Sequence, residues 1–160
     1  MKIHIMDRTK KKKFLQEVNY LGNLKTKNLF LMTGSEKIRA YSGSLTTEEI
    51  MAIWRMFPIE GVGLYFGKLT INRHGGKEAR LSTDALHLMK NQISENILEL
   101  DDKQILLWFA GKNFELKEEQ KKLKSYVAVK FENDFVGTGR ISKDGILQNF
   151  LPKERRIRQN

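Results

Sequence analysis

The sequence predicts an α+β protein in two parts: an α/β unit running to about residue 94 and a small β-rich unit over residues 95–160. Three observations lead there. Helical periodicity alternates with β-branched and aromatic runs in the first part. Near the C-terminal end, three strand-length apolar runs follow one another, joined by turn residues. Charge also changes near residue 95. Residues 94–119 carry seven acidic and three basic side chains, whereas residues 120–160 carry ten basic and four acidic ones.

The elements follow in order. Asp7 is placed to cap a helix over residues 8–20, with Phe14, Leu15, Val18 and Leu21 on one face. Residues 28–32 and 37–41 read as strands around the turn "TGSE". Thr46 and Glu49 have capping-box spacing, which starts a short helix through "TTEEIMAIWRMF". Residues 61–73, "GVGLYFGKLTINR", form a long strand region interrupted by glycines, and Ser82 caps the helix "TDALHLMKNQI". "NILELDD" is a short strand leading into a cap, with Asp101 and Asp102 in capping position. "KQILLWFAGKNF" is helical and ends near Gly111, and residues 117–124 are a polar connector. Strands over 125–131, 135–141 and 146–151 complete the chain, with turns at "END" and "SKDG". Asp-Gly between two alternating runs is a strong hairpin signal.

Composition narrows the function classes. A chain of 160 residues allows one domain or two small ones, and 40% hydrophobic residues suffice for a core. The net charge of +10 favours a polyanionic partner: nucleic acid, an anionic membrane surface or an acidic protein. Residues 1–93 account for +8, so two basic regions flank an acidic one. The absence of cysteine removes disulfides, thiolate nucleophiles and cysteine-based zinc sites, and fits a cytoplasmic protein. "MKIHIMDRTKKKKFL" has no signal-peptide core, and no run approaches the roughly 20 apolar residues that span a bilayer.

Catalytic signals are sparse. His4, His74 and His87 make no HxxxH pair, and no nucleophile elbow or acid–base carboxylate pair stands out. The reading is therefore no enzyme, no catalytic residue, no metal and no cofactor. "GTG" at 137–139 precedes another strand rather than a helix, so it reads as a β-bulge or a close backbone approach, not a phosphate loop. "GVGLYFG" lacks the nucleotide-loop patterns for the same reason. Trp54 and Trp108 lie in apolar helical stretches and read as core. Asn113, Tyr126 and Phe131 offer base-edge or stacking contacts, against which ordinary strand packing is the stronger reading.

Two basic runs remain. "RTKKKK" (8–13) fits a phosphate-binding face and an ordinary solvated face equally. In "PKERRIR", Pro152 stiffens the exit from the last strand, and Lys153, Arg155, Arg156 and Arg158 follow within six residues. Arginine forks match phosphate oxygens, and Ile157 between arginines argues that the tail docks on the domain.

The stretch from "ILELDDKQILLWFAGKNFELK" through "YVAVKFENDFVGTGRISKDGILQNFLPKERRIR" resembles the PUA RNA-binding fold. It is similar to the C-terminal domain of pre-PUA/PUA ribosome-assembly factors. "GTGRI…LQNFLPKERR" also resembles the C-terminal extension of the Fmu/Sun ribosomal RNA cytosine-5 methyltransferases, and "FGKLTINR…ARLSTDALHLM" resembles the end of the pre-PUA domain. The resemblance implies an N-terminal α/β pre-PUA-like domain over 1–94 and a PUA-like β pseudo-barrel over 95–160. It implies a non-catalytic protein of ribosomal RNA maturation or ribosome assembly, binding ribosomal or tRNA-like structured RNA. Lys153, Arg155, Arg156 and Arg158 fall where the family's basic segment lies, and Arg140, Lys143 and Lys112 extend the expected RNA surface. Charge reversal at Arg155 and Arg156 is then expected to weaken RNA binding with little change in thermal midpoint. Ribosome-assembly proteins or an RNA-modification enzyme are the expected protein partners, with no membrane. An RNA-targeting relative or subunit of a cytosine-5 methyltransferase is the alternative, although the nucleotide-binding domain and catalytic cysteines of those enzymes have no counterpart in these residues.

Overall fold

The computed structural model describes residues 3–57, 61–71, 75–123 and 126–157. They form two compact units, Met1–Asn19 with Leu24–Ala85, and Tyr20–Asn23 with Leu86–Asn160.

In the first unit, strands β1 (Ile3–Ile5), β2 (Leu29–Thr33), β3 (Lys37–Tyr41), β4 (Leu64–Ile71) and β5 (Lys77–Leu81) form an antiparallel meander in that order. Helix α1 (Arg8–Glu17) starts where Asp7 accepts the Lys10 N–H at 2.8 Å. It stops at Glu17, and Asn19–Leu21 tighten into a 3₁₀ turn rather than continuing the helix to residue 20. Helix α2 (Thr47–Met56) opens with the expected capping box, in which Thr46 Oγ1 and the Glu49 carboxylate each accept the other residue's N–H.

The sheet is covered on both faces, and the alternation along β2 shows how. Phe30 and Leu31 are adjacent and both buried, so they point to opposite sides. Phe30 meets Phe14 of α1 and Phe66 of β4, with ring centroids 5.8 and 4.8 Å away. Leu31 joins Ile3 and Ile50 of α2, against which Trp54 is half-buried. Strands β1 and β5 were not legible as separate strands, because one is three residues long and the other, "KEARL", is mostly polar.

The division between units falls within α3 (Thr83–Leu88), which opens where Ser82 Oγ accepts the Ala85 N–H at 3.1 Å. The helix is shorter than "TDALHLMKNQI" suggests, and Lys90–Gln92 form a 3₁₀ turn. The second unit contains β6 (Ile97–Glu99), α4 (Asp102–Phe109), β7 (Phe114–Glu115), β8 (Tyr126–Phe131), β9 (Asp134–Ile141) and β10 (Ile146–Asn149). They form a half-barrel in the order β6-β8-β9-β10-β7, with only the β6–β8 pair parallel. Two-residue β7 is too short to leave a period-2 pattern. Trp108 is fully buried in this unit's core with Leu98, Val127, Val129 and Leu147.

The hairpin geometry follows from local residues. Glu132 sits at φ +51° in the tight β8–β9 turn, where Phe131 faces Asp134. The β9–β10 turn closes with the Gly145 N–H on the Ser142 carbonyl at 3.1 Å, and Gly145 takes φ +74°. Between them, the β8–β9 register slips between Val129 and Lys130, leaving Val136 without an opposite residue. Gly137 beside it has φ +148°. "GTG" is thus part of a bulge, as its strand context indicates.

Asp101 starts α4 by accepting the Gln104 N–H at 2.8 Å and the Lys103 N–H at 2.9 Å. The Gln104 backbone N–H, with Lys117 at 3.0 Å, holds the Asp101 carboxyl below its usual pKa. Backbone donors do the same for Asp7 and Glu49. A carboxylate whose folded pKa is depressed contributes stability above its unfolded pKa, and that contribution is lost as pH falls through the folded pKa. The urea midpoint is therefore expected to drop below about pH 4, where unfolded carboxylates begin to protonate. Asp101→Asn keeps a capping acceptor without the charge, so its midpoint should depend less on pH than the wild type's. Identical pH profiles would remove Asp101 from that account.

Candidate nucleic-acid interface

The C-terminal tail is built onto the end of α4. After Leu151, which is buried, residues Lys153–Arg155 form one 3₁₀ turn, with N–H groups of Arg155 and Arg156 on the carbonyls of Pro152 and Lys153. The next N–H, of Ile157, donates to the Phe109 carbonyl at 2.9 Å. That carbonyl is one of those α4 leaves unpaired at its C-terminal end, so the tail takes the place of a continuing helix.

Asn149 makes the junction rigid. Its Nδ2 donates to the Trp108 carbonyl at 2.7 Å, and its Oδ1 accepts the Leu151 N–H at 2.8 Å. Its own N–H donates to Asn113 Oδ1 at 2.9 Å. Asn113 is therefore engaged in holding β10 rather than presented as a base-edge reader. Neither asparagine has a sequence signal for this role, because the partners lie more than 35 residues apart.

Arg156 belongs to the same junction. Its Nε donates to the Leu151 carbonyl at 3.0 Å, and its side chain lies across Gly111. Gly111 has φ +72°, and a Cβ there would come within 2.5 Å of Arg156 Cδ. A glycine thus terminates the helix and makes room for the arginine. The guanidinium also stands at the negative end of the α4 dipole. The tail docks as Ile157 suggests, but by a different agent: the Ile157 side chain is 63% exposed, and its backbone and Arg156 make the attachment.

The expected basic residues separate into three places. Lys112, Lys153 and Arg155 are exposed and, with the anchored Arg156, lie on backbone segments that meet at the end of α4, so these four basic residues share one end of the helix. Arg140 lies elsewhere, with its guanidinium carbon 5.3 Å from the Tyr126 ring centroid. Tyr126 itself stacks with Tyr20 and tilts against Phe150, each at 6.2 Å, which is the packing role expected for it. Lys143 is in the turn at the far end of β10 from the tail. Beside that turn, Lys121 packs over Gly145 and pairs with Glu118 at 2.6 Å and Glu115 at 3.2 Å. Arg158 lies outside the described residues, as do Lys124 and His74.

His4 and His87 are exposed. Among the described residues, no group of three or more His, Asp or Glu is arranged to hold a metal ion. No helix among them is long and apolar enough to cross a membrane.

A half-barrel with a bulged GxG strand, closed by a proline-led basic tail on the end of its helix, is the arrangement that the sequence resemblance implied. Residues 95–157 match the family model for the PUA domain of the methyltransferase RsmF. No curated protein matches the chain. The matched stretch runs from before β6 through the anchored tail and includes every expected basic site residue except Arg158.

Proposed function

We propose that this protein is a non-catalytic RNA-binding protein that engages structured RNA, ribosomal or tRNA-like, in ribosomal RNA maturation or ribosome assembly. The observation that carries this reading is the basic cluster of Lys112, Lys153, Arg155 and Arg156 held at a fixed place on a PUA domain. Affinity comes from phosphate contacts, and Arg155 adds a planar donor fork that suits phosphate oxygens. Anchoring the tail before RNA arrives lowers the ordering cost of binding. A cytoplasmic location and assembly proteins as further partners go with this role.

Lys153→Glu combined with Arg155→Glu should weaken binding and lower the slope of log K against log salt by about 1.4–1.8, two phosphate contacts. The thermal midpoint should fall less than in Arg156→Glu, since both side chains are exposed. Arg156→Glu should lower both affinity and midpoint, because it also removes the Leu151 contact. Fluorescence anisotropy across a salt series, with a structured RNA and a duplex DNA, reads the first effect. Equal binding to both nucleic acids, or an unchanged slope, would refute the assignment.

A second reading has one observation in its favour: the matching domain model is that of a methyltransferase. The protein would then target RNA for a cytosine-5 methyltransferase, as a subunit or a stand-alone relative. The 160 residues supply no cysteine for that chemistry. Co-purification with a methyltransferase that needs this chain for activity on ribosomal RNA would favour this reading over the first.

A further inference from the structure

The first unit contains a cavity of about 450 Å³ beside α1, within the range of small-ligand sites. Its floor is apolar: Met6 and Phe14, both buried, with half-buried Met32 and Leu69. Its rim is cationic, with exposed Lys10 and Lys13 from α1 and Lys77 from β5. Glu17 supplies a carboxylate on the same rim. Residues 10, 13, 14 and 17 share one stripe of α1. A helix stripe over an apolar floor ordinarily carries apolar side chains, whereas here Lys10, Lys13 and Glu17 accompany Phe14.

The neighbouring Lys11 behaves differently. Lys11 donates to the Asn28 carbonyl at 2.6 Å and lies over the Phe30 ring, and burial there pulls its pKa down. Lys10, by contrast, makes a long, exposed 3.6 Å pair with Asp7. The run "KKKK" is therefore not one uniform solvated face.

We infer that this cavity takes an unpaired nucleotide of RNA, with the base on the Met6–Phe14–Met32–Leu69 floor and flanking phosphates on Lys10, Lys13 and Lys77. Thioether and aromatic groups suit the flat π-face of a base. Three ammonium groups against one carboxylate select an anion, which an uncharged apolar ligand would not need. The Glu17 carboxylate accepts from an exocyclic amino group, which disfavours uracil, the one RNA base without such a group. This inference rests on the RNA-binding reading and extends it to a second, independent contact in the first unit.

The test uses the full chain with ¹³C-methyl methionine and an oligocytidylate of about eight nucleotides, a length within common single-strand site sizes. The Met6 and Met32 methyl signals should shift, while Met89, which is 3% exposed, should not. The shifts should persist in Lys153→Glu/Arg155→Glu and weaken in Lys10→Gln/Lys13→Gln, whose salt slope should fall by about 1.4. RNA bound with Met6 and Met32 unmoved would overturn the cavity assignment and leave the tail assignment standing. Shifts with a long-chain carboxylate but not with RNA would overturn it in favour of a lipid ligand. A wild type that binds no RNA of any kind would overturn both.

Discussion

Trp108→Ala is expected to destabilise the C-terminal unit by about 3–5 kcal/mol, a large fraction of the stability of a domain this size. Trp108 is fully buried among residues of α4, β8 and β10. Its indole N–H also donates to the Val136 carbonyl at 3.1 Å. Val136 is the residue that the bulge leaves without a cross-strand partner, so the indole satisfies a carbonyl at the point where the ladder is interrupted. Trp108→Phe separates the two contributions. It keeps most of the apolar volume and orphans the carbonyl, at a cost of about 1–3 kcal/mol. Urea denaturation followed by far-UV circular dichroism measures both. A Trp108→Phe protein as stable as the wild type would show that the hydrogen bond contributes nothing net.

Asn149→Ala is the second large effect, and it connects stability to function. The change removes three side-chain hydrogen bonds at once, to the Trp108 carbonyl, the Lys112 carbonyl and the Leu151 N–H. A loss of about 1–3 kcal/mol is expected from the groups left unpaired. No charge is altered, yet RNA affinity should fall, because the tail carrying Lys153 and Arg155 loses its hinge support. The salt slope should remain near the wild type's, since the phosphate-contacting groups are still present. That combination, weaker binding at an unchanged slope, distinguishes positioning from charge. An Asn149→Ala protein with full affinity would mean that the tail places its cations without this junction.

The behaviour of the arginines refines the simplest expectation for the tail. Reversing Arg155 and Arg156 together is not a clean test of charge. Arg156 is tied to Leu151 and packed over Gly111, whereas Arg155 is exposed. Two adjacent arginines with the same formal charge thus differ in burial, Arg156 being half-buried on the tail's junction and Arg155 exposed.

Local signals were readable wherever the cause is local. The caps at Asp7, Thr46, Ser82 and Asp101 all form, because each needs only a short polar side chain and an N–H within three residues. The "END" and "SKDG" turns and the bulge at Gly137 follow from the same short-range chemistry. Strands β1, β5 and β7 escaped notice, since each is defined by the strand it pairs with rather than by its own pattern. Of the basic residues, those in the tail were legible as a run. Their grouping with Lys112, and the separation of Arg140 and Lys143 from them, was not.

By itself the sequence determined two units of α+β type and a positive tail, because composition, capping and turn chemistry act over a few residues, and its resemblance to the PUA fold marked the C-terminal part. Only the tertiary structure decided which cations stand together. That choice depends on Asn149, Asn113, Gly111 and the Phe109 carbonyl, contacts between positions tens of residues apart, and such contacts leave no periodicity to read.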